Sequence, residues 1–83
     1  MPHYHIDTDD DVFPVCDEEG QDLANLAAGR ALAHRALSDM ARHRLPDGEH
    51  RTFTASIRDE RGTTLYVATL AFSGQCRVAP AAV

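Results

Sequence analysis

The chain has 83 residues, of which 13 are acidic and 8 basic, and its formal net charge is −5. A chain of this length forms one domain and buries only about 60% of the surface that its unfolded form exposes, so oligomerisation is a common source of added stability. Nucleic acids and anionic membrane surfaces bind clustered cations, whereas this sequence has no Lys and its Arg residues are scattered. We therefore expect neither nucleic acid nor a membrane as a partner.

Targeting signals and cysteines indicate the compartment. No apolar segment approaches the ~20 residues of a membrane-spanning helix, and the first residues show neither the basic start nor the apolar stretch of a secretion signal. Cys16 and Cys76 lie far apart in the sequence, which does not indicate a disulfide framework. We expect a cytoplasmic protein with reduced thiols.

The N-terminal segment predicts two short strands. Tyr4 and Ile6 alternate with polar residues, which is typical of a strand with one apolar face over residues 2–7. A polar turn follows, and residues 12–16 predict the second strand. Pro14 lacks the N–H group that a sheet needs, so we expect this strand to be short and to lie at an edge.

The middle of the chain predicts one long helix. Acidic residues precede an Ala- and Leu-rich stretch, where carboxylates suit the positive end of a helix dipole, and this places the helix start near Asp22. Apolar or small residues then recur at helical spacing and define the face that packs on the sheet: Leu26, Gly29, Ala33, Leu37 and Met40. Gly29 predicts a close approach of the helix backbone to a strand. Residues 46–48, Pro-Asp-Gly, predict the helix end.

The last part of the chain predicts a β-hairpin. Residues 52–58 and 63–72 are rich in β-branched and aromatic side chains, and the turn 59–62 between them contains Gly. Residues 74–83 show no periodicity and predict a disordered tail. The order β-β-α-β-β predicts a single α+β domain over residues 1–73, with one helix across a three- to four-stranded, mainly antiparallel sheet in two layers.

Four groups of residues together resemble one family. They are Met1-Pro2-x-Tyr4 at the start, Asp17-Glu18-Glu19-Gly20-x-x-Leu23 before the helix, Arg30 and Ala33 within it, and Ile57-x-Asp59-Glu60-x-Gly62-x-x-Leu65 in the hairpin. This is the family of small uncharacterised bacterial proteins, common in rhizobia and their relatives, that share a domain of unknown function. The resemblance covers residues 1–72.

The resemblance implies a stand-alone domain of bacterial, cytosolic origin, and it carries no activity, cofactor or catalytic residue over to this chain. Its anchors have structural interpretations, since residues 17–20 form a turn and residues 59–62 the hairpin loop. The sequence departs from the family pattern at His3 and His5, where the first strand more often carries Arg and aromatic residues. Any use of these histidines is therefore specific to this protein.

The pattern His3-x-His5-x-Asp7 is the sharpest chemical feature of the sequence. Alternate residues of a strand share a face, so two imidazoles and a carboxylate would lie together, a set that suits zinc or a similar divalent ion. Cys16 on the neighbouring strand is a further candidate ligand. Alternating polar residues are equally typical of the solvent-facing side of a strand, and both interpretations remain open.

A catalytic set is not indicated. Cys16 would need a neighbouring imidazole to act as a nucleophile, and the candidates are His34 or His43 as base with Asp17 as orienting group. Nothing in their spacing supports this arrangement, and the sequence has neither a Gly-rich phosphate loop nor a Ser elbow. We expect no enzyme and no resident cofactor, with zinc as the one candidate ion.

Two hypotheses follow. The first is a non-catalytic interaction or dimerisation module whose partner is a second copy or another protein. It would act through the open sheet face or through Ala24, Ala28 and Leu32, a weak second apolar patch on the helix, although an Ala-rich helix needs no partner. The alternative is a metal- or small-ligand-binding protein that uses His3 and its two neighbours in the pattern above.

Overall fold

The computed structural model describes residues 2–44 and 50–77. In chain order its elements are β1 (His3–Asp9), β2 (Pro14–Val15), β3 (Gln21–Asp22), α1 (Leu26–Arg44), β4 (His50–Asp59) and β5 (Thr64–Ser73). The predicted α+β fold with the order β-β-α-β-β is confirmed, and β3 is an additional strand of 2 residues before the helix. Within these residues, no helix combines the length and the apolar composition that crossing a membrane requires.

The sheet is antiparallel throughout and has the order β2-β1-β4-β5. Both short strands pair with β1, β2 beside Thr8 and Asp9 and β3 beside His3 and Tyr4. They therefore share one edge of the sheet, and β5 forms the other. The prediction of a short edge strand at Pro14 is confirmed.

The helix begins at Leu26 and not near Asp22, so the predicted start was wrong. Asn25 caps it, because its Oδ1 accepts a hydrogen bond from the backbone N–H of Ala28 at 2.9 Å. The end of the acidic segment before the helix is part of the sheet instead. Asp22 belongs to β3, and the N–H of Leu23 donates a hydrogen bond to the carbonyl of Pro2 at 2.9 Å. The first turn of α1 contains no acidic residue.

The helix packs across one face of the sheet. In the described part of the chain, the buried hydrophobic side chains between these layers are Tyr4, Ala33, Leu37, Phe53, Ala55 and Ile57. Gly29 permits the close approach that its position predicts, because a Cβ atom there would lie 3.2 Å from Cδ1 of Ile57. A core of six side chains, two of them Ala, is small even for a chain of this length.

Two predictions fall wholly or partly outside the described residues. The expected helix terminator, residues 46–48, lies there, and so do residues 78–83 of the expected tail. Residues 74–77 belong to neither a helix nor a strand. The division into a domain of residues 1–73 and a disordered tail stays a prediction.

Candidate functional site

His3, His5 and Asp7 lie on the face of β1 that is turned away from the helix. Tyr4 and Ile6 between them belong to the core or pack against it, which fixes the opposite orientation for their neighbours. The ring centroids of His3 and His5 are 5.2 Å apart in an edge-to-face arrangement. The structure thus places the three predicted metal ligands on one side of the sheet.

His3 is held at both ring nitrogens. Its Nδ1 lies 2.8 Å from Oδ1 of Asp22, and its Nε2 lies 2.8 Å from the carbonyl oxygen of Glu19. Both oxygens accept, so both nitrogens donate only when the ring is the charged imidazolium. The hydrogen bond to Asp22, followed by that to Glu19, raises the pKa of His3 above its ordinary value of 6.5.

Asp17 replaces a backbone partner at the edge of β1. Its carboxylate accepts hydrogen bonds from the N–H groups of Ile6 at 3.1 Å and Gly20 at 3.0 Å, and its carbonyl accepts one from Nδ1 of His5 at 2.7 Å. Partial burial raises the pKa of Asp17, but the two N–H donors outweigh this and hold the pKa below its ordinary 3.8. The carboxylate therefore closes the gap that β2 and β3 leave along this edge.

Asp7 and Arg58 form a half-buried ion pair on the same face. Arg58 Nε donates to Oδ2 of Asp7 at 2.8 Å, and Nη2 donates to the carbonyl of Asp17 at 2.9 Å. Oδ1 of Asp7 accepts the N–H of Asp17 at 2.8 Å. Burial raises the pKa of Asp7, but the hydrogen bond from Arg58 and then that from Asp17 hold the pKa below its ordinary value. These contacts fix the acidic loop to β1 and β4.

This cluster engages most of the atoms that a metal ion would need. Among residues 2–44 and 50–77, no group of three or more His, Cys, Asp or Glu side chains is arranged to hold a metal ion. Both nitrogens of His3 point at acceptors, and Asp7 is paired with Arg58. Zinc binding at His3, His5 and Asp7 stays a prediction that requires some of these hydrogen bonds to break.

Cys16 is exposed and lies 3.4 Å from Nη2 of Arg58. The imidazoles considered as bases lie on the helix, on the other side of the sheet: His34 shares a hydrogen bond of 2.7 Å with the Tyr66 hydroxyl, and His43 lines a cavity with Thr8. The structure brings Cys16 together with Asp17, but not with either histidine.

The outer edge of β5 is not covered by any strand in the part of the chain that the structure describes. On one side this strand of 10 residues pairs with β4, and along its other side no strand pairs with it among the described residues. None of its side chains is buried, and its exposed large hydrophobic residues are Leu65, Val67, Leu70 and Phe72. Among the described residues, this edge therefore presents backbone groups without a strand partner together with apolar side chains.

Natural edge strands are commonly protected by charged residues, by Pro or by a covering segment. β5 contains no charged residue and no Pro over residues 64–73. Its one irregularity is a register shift opposite Ile57 and Arg58, near its start. By contrast, the opposite edge of the sheet carries Pro14, two short strands and the acidic loop. The β5 edge thus has the features of a site that another strand covers.

The helix flank beside β5 is polar. The guanidinium carbon of Arg30 lies 5.4 Å from the centroid of the Tyr66 ring, a cation–π distance, and Nε2 of His34 contacts the Tyr66 hydroxyl. These contacts hold Tyr66 half-buried against α1 at the start of β5. They leave the later, apolar half of the strand open.

The predicted helix patch lies only partly on the helix. Ala24 is exposed but precedes the helix, whereas Ala28 and Leu32 lie within it and are half-buried. An interaction through these three residues stays a prediction. The β5 edge was not among the predicted sites, although the sequence carries a signal for it: ten successive residues without charge in a chain that is 25% charged.

Comparison with known proteins identifies the family. A family model described as "Domain of unknown function (DUF6894)" matches residues 3–71. Neither the curated proteins nor the solved structures include a significant match to the chain. The match spans more than half of the chain and agrees with the resemblance seen in the sequence motifs. This chain belongs to the family of the domain of unknown function DUF6894.

Proposed function

We propose that this domain is a non-catalytic protein-interaction module whose contact surface is the outer edge of β5. The observation that carries the proposal is the outer edge of β5, a strand of 10 residues that has exposed apolar side chains, no charge and no second strand partner among the described residues. Strand addition to such an edge is a recurring mode of recognition, in which main-chain hydrogen bonds supply affinity and side chains supply specificity.

The polar clusters of the molecule support this proposal because their side chains hold the fold together. Asp7, Asp17, His3 and Arg58 each bind backbone groups or one another and thereby hold the acidic loop on the sheet. The small core supports it as well, since no β5 side chain is buried in the isolated chain. A partner at β5 would add apolar burial that the chain alone lacks.

Residue-resolved amide hydrogen exchange tests the proposal. Nitrogen-15-labelled protein is measured at increasing concentration in buffer and then in an unlabelled lysate of the source organism. We expect the outward-facing β5 amides to become protected in at least one of these conditions. Exchange of these amides at unprotected rates in both conditions would contradict an interaction through β5.

A further inference from the structure

The geometry points to a second copy of this chain as the partner at the β5 edge, and we propose that the two copies join by antiparallel pairing of β5 with β5. This inference rests on the proposed function, because it names the occupant of the same edge. The paired copies form one continuous sheet with the strand order β2-β1-β4-β5-β5-β4-β1-β2.

The distribution of charge directs a contact between two copies to β5. Eight of the 13 acidic residues fall within residues 7–22, which form the opposite edge of the sheet and its loops: Asp7, Asp9, Asp10, Asp11, Asp17, Glu18, Glu19 and Asp22. Each copy carries a formal charge of −5, so contact through the acidic edge is opposed by repulsion. Contact through the uncharged β5 keeps the two acidic edges on the outside of the dimer.

Symmetry defines the arrangement closely. A strand that pairs antiparallel with its own copy is related to it by a two-fold axis perpendicular to the sheet. Directly opposed residues share a face of the sheet, so the axis must pass between one residue and the same residue of the second copy. At the middle of β5 the candidates are Ala68 and Thr69. Both helices then lie on the same face of the joined sheet.

The side chains of β5 suit this pairing. Three of them lie opposite the buried β4 residues, and hence on the helix side: Tyr66, Ala68 and Leu70. When Ala68 faces Ala68 of the second copy, Leu70 faces Tyr66 of that copy. When Thr69 faces Thr69 instead, Leu70 faces Ala68 of the second copy. On the helix side, either register brings these side chains together, and neither register places like charges opposite one another.

A charge-exchange experiment tests the dimer. One variant carries Val67→Lys and Thr69→Lys, and the other carries Val67→Glu and Thr69→Glu; both positions lie opposite the polar Ser56 and Thr54, away from the core. We expect the wild type to sediment as a dimer. Each variant alone should raise the Kd at least about tenfold, because like charges meet at the interface. An equimolar mixture should restore the dimer, since Lys then faces Glu in either register.

The matched control places the same charges on the other edge of the sheet. Val12→Lys with Val15→Lys alters two valines that are 61% and 57% exposed, close to the 55% of Val67. We expect this variant to dimerise like the wild type. Backbone amide spectra of all three variants establish that each is folded. Loss of the dimer in the control, or a folded mixture that stays monomeric, would overturn the β5 pairing.

Failure of this inference can be told apart from failure of the proposed function. A wild type that is monomeric up to millimolar concentration, but whose β5 amides become protected in the lysate, overturns the second copy as partner and leaves the interaction module standing. A monomeric wild type whose β5 amides are unprotected in both conditions overturns both proposals.

Discussion

Gly20 is required for two separate reasons, its backbone conformation and the lack of space for a side chain. Its φ of +69° is in the left-handed region, and a Cβ atom there would lie 2.6 Å from Nε2 of His3 and 2.7 Å from the carbonyl oxygen of Tyr4. Gly62 has a φ of +87° but nothing within 4 Å of the Cβ position, so it shares the first requirement and not the second. Substitutions at Gly62 and Gly20 therefore distinguish the cost of a left-handed backbone from the cost of a steric clash.

We therefore expect Gly62→Ala to lower the free energy of unfolding by about 1–2 kcal/mol, the cost of the left-handed conformation. Gly20→Ala should lower it by a further ~1–3 kcal/mol, because the methyl group displaces His3 or the β1 backbone. Urea unfolding of both variants provides the comparison. Equal losses would show that the loop around Gly20 relaxes without cost.

The titratable side chains at and beside β1 couple stability to pH in opposite directions. The pKa values of Asp7 and Asp17 lie below their ordinary 3.8, so their stabilisation is present above pH 3.8 and is lost as pH falls through the folded-state values. The pKa of His3 lies above its ordinary 6.5, so its stabilisation is present below pH 6.5 and is lost as pH rises through the folded-state value.

We expect His3→Gln to remove the His3-dependent loss of stability above pH 6.5 and to leave the loss in acid, because the two aspartates keep their partners. Urea unfolding across a pH series measures both limbs. If the wild type and the variant lose stability equally above pH 6.5, then His3 is not held as an imidazolium by Asp22.

In this structure, zinc binding at His3 and His5 requires a ring nitrogen of His3 to give up its hydrogen bond. A zinc ligand needs a ring lone pair, whereas both nitrogens of His3 face acceptors. The metal hypothesis therefore predicts an affinity that rises as pH increases through the pKa of His3 and levels off above it, with shifts of both imidazole signals in an NMR titration. Unshifted signals at stoichiometric zinc would end that hypothesis.

The geometry of this cluster was only partly predictable. Alternation along β1 placed His3, His5 and Asp7 on one face, which the structure shows. Their partners were not readable, because His5 binds a carbonyl 12 residues away and Asp7 binds a guanidinium 51 residues away. Such pairs are set by the register of the sheet, and single-strand periodicity carries no information about register.

Among the secondary-structure elements, the helix and the hairpin were predictable because each has a sequence signature of its own. The small or apolar residues at helical spacing identified α1, and the two β-rich runs around a Gly-containing turn identified β4 and β5. β3 could not be predicted, since 2 residues show no periodicity and their pairing with β1 is a tertiary contact. The same pairing places Asp22 in a strand and not in the helix.

The cap at Asn25 provides a test of where the helix begins. We expect Asn25→Ala to lower the free energy of unfolding by about 1 kcal/mol, because the N–H of Ala28 loses its acceptor. Asn25→Ser should be close to neutral, since Ser also caps helices well. Thermal or chemical unfolding of both variants measures this, and equal stability of Asn25→Ala and wild type would argue that the helix starts elsewhere.

At the scale of the whole molecule, a dimer links stability to protein concentration. Partner binding to the folded state stabilises it by mass action, so the Tm of the wild type should rise with concentration. Val67→Lys should weaken this dependence, because it puts a charge on the pairing edge. Val15→Lys should retain it. Calorimetry over a hundredfold concentration range decides, and a concentration-independent wild-type Tm would contradict a stabilising dimer.

Because the two edges of the sheet differ, the proposed dimer cannot add further copies edge to edge. Filaments arise when one edge of a subunit adds to a different edge of the next, so that every addition leaves a free end. Here the β1 edge carries short strands at both ends and the Asp17 carboxylate between them, and it is rich in negative charge. In the proposed dimer each copy contributes its β5 edge to the same contact, so no receptive end remains. Crowding then drives the population towards pairs, and not towards fibres.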